Sequence, residues 1–152
     1  MRELSRGATP KAVLFLCTGN SCRSQMAEGF ARQKAGTDLR VFSAGTDPVG
    51  VNPLAVQVMA EAGIDISAQR SKGLDAVPLG EVDLVVTLCG DAAERCPALP
   101  GGAPRLHWGL PDPAAARGTP EEILDRYREV RDAVAKRVEV WLASLPGPRP
   151  SC

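Results

Sequence analysis

The chain has 152 residues, enough for one domain with a substantial core. Its 18 Lys and Arg balance 18 Asp and Glu, so the basic footprint of a nucleic-acid binder is missing, and its six aromatics (three Phe, two Trp, one Tyr) are too few for base-stacking platforms. With 44% apolar and 24% charged residues the composition is that of a soluble globular protein, and no stretch nears the ~18 apolar residues that a membrane span needs.

Residues 1–10 read as a flexible leader. The apolar run that follows is only about six residues long and has no small-residue cleavage site, so no signal peptide is read and a cytoplasmic location is expected. Five cysteines, an odd number, argue against a secreted disulfide framework and for working thiols in a reducing compartment. No Cys-x2-Cys pair occurs and His107 is the single histidine, so no metal centre is expected.

Ala12–Leu16 is a continuous apolar run, as a strand buried on both faces should be. It leads into Cys17-Thr18-Gly19-Asn20-Ser21-Cys22-Arg23-Ser24, and a helix is predicted from Cys22 to Ala35 with Met26, Ala27 and Phe30 on its apolar face. A thiol is thus placed at a strand end, and an arginine six positions later opens a helix. Such a tight loop turns its backbone N–H groups inward as a nest for a tetrahedral oxyanion. The helix dipole and the guanidinium favour Cys17 as the attacking thiolate, and Arg23 can grip two oxyanion oxygens at once.

A second strand is predicted over Leu39–Ala44, and Asn52-Pro53 reads as the N-cap and first residue of a helix that carries Leu54, Val58 and Met59 inward and stops at Gly63. A short helix is expected near Ser71–Ala76, and Glu81–Leu88 supplies a third strand with Cys89 at its end. Gly90–Cys96 reads as a short helix, and Pro104–Trp108 as a weaker fourth strand followed by Asp112. Thr119-Pro120-Glu121-Glu122 is a capping box opening a long helix, whose Ile123, Leu124, Tyr127, Val130, Val134, Val138, Trp141 and Leu142 recur at core spacing. The domain is read as residues 11–145, with 146–152 as a tail.

Strand and helix alternate four times, which predicts an α/β fold: a four-stranded parallel sheet with helices on both faces and right-handed crossovers. In such sheets ligands bind beyond the carboxyl ends of the strands, where Cys17, Cys89 and Asp112 should converge. Cys89 and Cys96 are seven residues apart. In an intact helix they would be separated by ~10.5 Å of rise, whereas a disulfide needs Cα atoms within about 7 Å. They can bond only if that segment unwinds, and Gly90, Ala92, Ala93 and Pro97 make it meltable. A redox relay and an incidental pair both remain open on spacing alone.

The motifs together resemble the thioredoxin-coupled arsenate reductases of the low-molecular-weight tyrosine phosphatase fold. They run from the Cys17–Gly29 segment through Ser43-Ala44-Gly45, Gly50–Pro53, Val85–Cys89 and Cys96-Pro97 to His107-Trp108-Gly109 and Asp112-Pro113. The resemblance implies Cys17 as nucleophile, Arg23 as oxyanion clamp, Ser24 as support for the thiolate and Asp112 as general acid. It places substrate on the Thr18, Gly19, Asn20, Ser21, Cys22 and Arg23 loop. It implies Cys89 and Cys96 as relay thiols forming Cys17–Cys89 and then Cys89–Cys96, with thioredoxin as reductant of a cytoplasmic monomer that holds no tight cofactor. Some relatives bind potassium through Asn, Glu, Ser and Asp; Asn20, Glu28 and Ser43 match three, but Lys72 falls at the fourth. An ammonium there can stand in for the ion, so potassium activation is not expected.

The chief rival is a tyrosine phosphatase of the same fold. Those enzymes carry an aromatic residue after Asp-Pro to sandwich a phenol ring, where this chain has Ala114-Ala115-Ala116, and proline where it has Gln25. Slow hydrolysis of small aryl phosphates is still expected. A non-enzymatic oxyanion-binding or redox-sensing module would need neither Asp112 nor two further thiols. Cys22 is read as packing, His107 as a strand-end residue that orients a loop, and Cys152 as a bystander.

Overall fold

A computed structural model describes residues 10–36, 38–88 and 102–145. Four parallel strands form one sheet in the order β2-β1-β3-β4: β1 is Ala12–Cys17, β2 Arg40–Gly45, β3 Leu84–Thr87 and β4 Arg105–His107. The register sets Cys17 opposite Gly45 and Leu16 opposite Thr87, so three strand ends meet at one edge. All six β1 residues are buried, so both faces of the central strand are covered, as its unbroken apolar run requires.

Helices α1 (Arg23–Ala35), α2 (Pro53–Glu61) and α3 (Pro120–Ser144) complete the framework. Asn52 caps α2, its side chain accepting from the Leu54 N–H at 2.8 Å with Pro53 behind it. The Thr119 capping box opens α3: Thr119 Oγ1 accepts from Glu122 N–H at 3.1 Å, and Glu122 Oε1 accepts from Thr119 N–H at 2.8 Å. The α3 apolar stripe buries Tyr127, Val130, Val134, Val138, Trp141 and Leu142, while Ile123 and Leu124 stay half-buried. Trp141 meets Phe15 of β1 edge-on at 6.1 Å and Trp108 at 6.2 Å, an aromatic triangle that fixes α3 to the sheet. Arg131 of α3 donates to the Val58 carbonyl at 2.9 Å, satisfying a backbone acceptor in the last turn of α2.

Some boundaries differ from the sequence reading. The third strand begins at Leu84 rather than Glu81, because Glu81 closes a 3-10 turn (Leu79–Glu81) and Asp83 turns its carboxylate onto the Lys11 and Ala12 N–H groups at 2.7 and 3.0 Å. The expected helix near Ser71–Ala76 is a single 3-10 turn, Leu74–Ala76. In α2 the inward residues are Ala55, Val58 and Met59, with Leu54 only half-buried. The first nine residues of α1 are all buried, Ser24, Gln25 and Glu28 included, so the helix is enclosed rather than amphipathic where it begins. Gly29 permits that enclosure: a Cβ there would lie 2.7 Å from Ile66 Cγ2. The expected Gly90–Cys96 helix, Cys89, Cys96, the leader through residue 9 and the 146–152 tail lie outside the described residues.

Candidate active site

The loop between β1 and α1 is built by turning its carbonyls outward. Cys17 O accepts from Thr46 N at 3.2 Å, Thr18 O from Asp47 N at 2.8 Å, Gly19 O from Val49 N at 3.0 Å and Ser21 O from Asn52 N at 3.1 Å. Asn20 O accepts from Gln25 Nε2 at 3.2 Å, and Cys22 O from Met26 N at 2.9 Å inside α1. A trans peptide points its N–H opposite to its C=O. Six outward carbonyls therefore turn the following N–H groups toward the concave side, where the α1 N-terminus adds its positive end. Asn20 makes the bend in the left-handed region (φ 47°), which asparagine tolerates better than most residues.

The result is a cavity of about 460 Å³. Cys17, Thr18, Gly19, Ser21, Cys22 and Arg23 line it, together with Val49, Asp112 and Ala114. Arg23 Nη1 donates to the Leu110 carbonyl at 2.9 Å and Nη2 lies 3.8 Å from Asp112 Oδ2. The buried Nε has no partner among the described residues, leaving a donor for an oxyanion. Asp112 is half exposed, and its Oδ1 caps the 3-10 turn Pro113–Ala115 by accepting from Ala114 N–H at 3.0 Å. Cys17 Sγ lies 2.9 Å from Ser24 Oγ. This set can bind a tetrahedral anion, attack its centre with sulfur and protonate a leaving oxygen.

Of the three residues expected to converge, Cys17 and Asp112 line this cavity together with Arg23, and Cys89 lies outside the described residues. Asn20 belongs to the loop, but its side chain is fully buried and turned away from the cavity. Cys22 Sγ lies 3.9 Å from Ser21 Oγ, and burial pushes its thiol up to about 11, so it stays neutral beside an anion. His107 ends β4, lies 2.8 Å from Thr87 Oγ1 through Nδ1, and is not among the residues that line the cavity.

Behind the loop, Asn20 Nδ2 donates to Ser24 Oγ at 2.8 Å and to Ser43 Oγ at 3.0 Å, and Ser43 Oγ donates to the buried Glu28 carboxylate. Lys72 Nζ sits among these groups, 3.3 Å from Ser43 Oγ, 2.8 Å from the Arg70 carbonyl and 3.8 Å from Glu28 Oε1. Partial burial holds the Lys72 ammonium below the usual lysine range, with Glu28 opposing that shift. Sequence reasoning gave no role to Thr46, Asp47 and Val49 or to the Gln25–Gln69 pair; the first three act through backbone groups, which leave no side-chain signature.

Gly45 is the close approach on which the loop depends. A Cβ there would lie 2.6 Å from Thr18 O and 2.8 Å from Asn20 N, both backbone atoms that cannot swing aside. Gly45→Ala should weaken phosphate binding at least about tenfold and cost about 1–3 kcal/mol, the usual penalty for overpacking. Calorimetric titration with phosphate and a thermal melt check this; unchanged affinity would show that the loop does not need the contact.

The profile of the low molecular weight phosphotyrosine protein phosphatases matches residues 12–149. The arsenate reductase of Bacillus subtilis strain 168 is 54% identical over 129 residues, covering 85% of this chain and 93% of that protein. A solved arsenate reductase in the oxidised state superposes with TM-score 0.76 at 35% identity, covering 89% of this chain and 98% of its own. One in the phosphate-binding state gives TM-score 0.72 at 36% identity over the same shares. With that family profile spanning most of the chain and a relative more than half identical over it, the chain belongs to the low molecular weight phosphotyrosine protein phosphatase family.

Proposed function

We propose that the protein is an arsenate reductase that converts arsenate to arsenite through a cysteine relay served by thioredoxin. The observation that carries this reading is the cradle itself: six carbonyls turned outward around a cavity shared by Cys17, Arg23 and Asp112. Similarity to arsenate reductases over most of the chain supports arsenate as the anion.

Arsenate binds as phosphate would, on the loop N–H groups and Arg23. The Cys17 thiolate attacks arsenic, and Asp112 protonates the departing oxygen, which leaves as water. Cys89 thiolate then attacks Cys17 sulfur; the S–As bond breaks, its electron pair stays on arsenic, and arsenite leaves as Cys17–Cys89 forms. Cys96 attacks Cys89, restoring Cys17 thiolate and leaving Cys89–Cys96. Two electrons from a thioredoxin dithiol reopen that bond. Cytoplasmic location and a monomeric state belong to this proposal. No helix among the described residues is long and apolar enough to cross a membrane.

The phosphatase reading shares every step up to attack on Cys17. It is disfavoured by the cavity walls: Val49 and Ala114 offer no ring to hold a phenol. The deciding assay is arsenate-dependent NADPH oxidation with thioredoxin and thioredoxin reductase. Wild type should turn over and Cys17→Ser should not. Hydrolysis of aryl phosphates without arsenate-dependent oxidation would favour the phosphatase.

The residues around Asn20, Glu28 and Ser43 do not fit a potassium ion, because the Lys72 ammonium already lies among their oxygens. Exchanging potassium for sodium at constant ionic strength should leave turnover unchanged. A clear rise in potassium would overturn the assignment of Lys72 as the resident cation.

A further inference from the structure

Behind the nucleophile, three carboxamides and one hydroxyl are joined head to tail. Gln69 Nε2 donates to Gln25 Oε1 at 2.7 Å, Gln25 Nε2 to Asn20 Oδ1 at 2.9 Å, and Asn20 Nδ2 to Ser24 Oγ at 2.8 Å. Ser24 Oγ then meets Cys17 Sγ at 2.9 Å. The direction of each link is set by backbone groups that can only donate or only accept. Lys72 N–H donates to Asn20 Oδ1 at 2.9 Å, which turns Nδ2 toward Ser24. The Arg70 and Asn20 carbonyls, at 3.0 and 3.2 Å, can only accept, which fixes Nε2 of Gln25 and turns its Oε1 to Gln69. Gln69 is oriented in the same way by the Gln25 carbonyl at 3.1 Å. No amide flip is compatible with these partners. Ser24 accepts from Asn20, so its one proton is free for the sulfur.

We propose that Gln25 and Gln69 are positioning residues for Cys17: they form the far end of a one-directional donor chain, Gln69 to Gln25 to Asn20 to Ser24, that stabilises negative charge on the sulfur. Neither touches substrate. Gln25 is fully buried, so its amide protons have no water to turn to, and consecutive hydrogen bonds in a low-dielectric interior polarise one another. Gln25 also bonds both the backbone and the side chain of Asn20, holding that residue in its left-handed turn. The chain thereby couples thiolate stabilisation to loop shape. This inference rests on Cys17 as the nucleophile, not on arsenate or the relay.

The test reads sulfur reactivity directly. Alkylation of Cys17 by iodoacetamide is followed by mass spectrometry of its peptide from pH 5 to 9, with no oxyanion present. Gln69→Met removes a donor, Gln69→Glu sets an acceptor against an acceptor, and Gln25→Met cuts the chain at its centre. Alkylation at pH 6 should fall about threefold in Gln69→Met and about tenfold in Gln25→Met and Gln69→Glu, since hydrogen bonds to a charged group are the strong ones. The pH profile should shift alkaline in the same order, while the limiting rate at high pH stays near wild type. A merely structural role would lower the melting temperature without moving the profile. Folded Gln69→Glu and Gln25→Met that alkylate along the wild-type profile would overturn the proposal; if Gln25→Met fails to fold, the two Gln69 variants decide. If Cys17 of the wild type resists alkylation throughout, the assigned nucleophile fails instead.

Discussion

Replacing Arg23 with lysine is expected to lower kcat/KM about a thousandfold, for arsenate and aryl phosphate alike, in line with the loss of preorganised donors in an oxyanion site. The guanidinium performs two tasks at once. Nη1 holds the Leu110 carbonyl at 2.9 Å and Nη2 lies 3.8 Å from Asp112, so the arginine also sets the segment that carries the acid. Its fork still leaves the buried Nε for the anion. A lysine ammonium is a single point charge and cannot serve the carbonyl and two oxyanion oxygens together. Weaker phosphate binding should accompany the loss, measured by calorimetric titration, and the melting temperature should change little. Activity within threefold of wild type would mean that a point charge suffices and that the geometry of Arg23 is irrelevant.

Cys89→Ser and Cys96→Ser should each abolish thioredoxin-coupled turnover while leaving hydrolysis of aryl phosphates intact. Hydrolysis requires only the loop, Arg23 and Asp112; reduction requires a second sulfur to take the place of water. The two variants should part company in a single turnover. Cys96→Ser should release one equivalent of arsenite and accumulate Cys17–Cys89, whereas Cys89→Ser should release none. Peptide mapping after arsenate loading checks this. The spacing of the pair adds a further expectation. The sequence predicts a short helix over Gly90–Cys96, and the ~10.5 Å rise of such a helix between Cys89 and Cys96 would exceed the ~7 Å reach of a disulfide. Circular dichroism should therefore lose helix on oxidation. Either variant reducing arsenate at the wild-type rate with thioredoxin would remove the relay from the mechanism.

The fold was legible in the chain because its strong signals are local. The apolar run of β1, the Asn52-Pro53 cap and the Thr119 capping box fix element starts through backbone chemistry within a few residues, and the structure has all three. The Glu81–Asp83 stretch, predicted as the start of the third strand, lies outside β3 because Asp83 bonds to the backbone at the start of β1. Cys17, Arg23 and Asp112 stood out as candidates because their chemistry is specific to their residue types, and all three line one cavity. The polar core of α1 did not stand out. Gln25 looks like a solvent-facing helix residue in sequence, and only partners distant along the chain, Gln69 and Arg70, satisfy its amide on burial, whereas Glu28 is placed beside Ser43 and Lys72 by the resemblance alone. Cys89 and Cys96 lie outside the described residues, and their relay roles are what the resemblance implies.

The residues after β2 add their main-chain N–H groups to the loop as a short extra rung beside it, at Thr46, Asp47, Val49 and Asn52. Every residue except proline owns such a group. The side chains of Thr46 and Asp47, which neither line the cavity nor cap a helix, can therefore drift through many substitutions without disturbing the anion cradle. Proline at any of those four positions should be the intolerable change, and a saturation library of the stretch should show that single exclusion at Thr46, Asp47 and Val49 above all others.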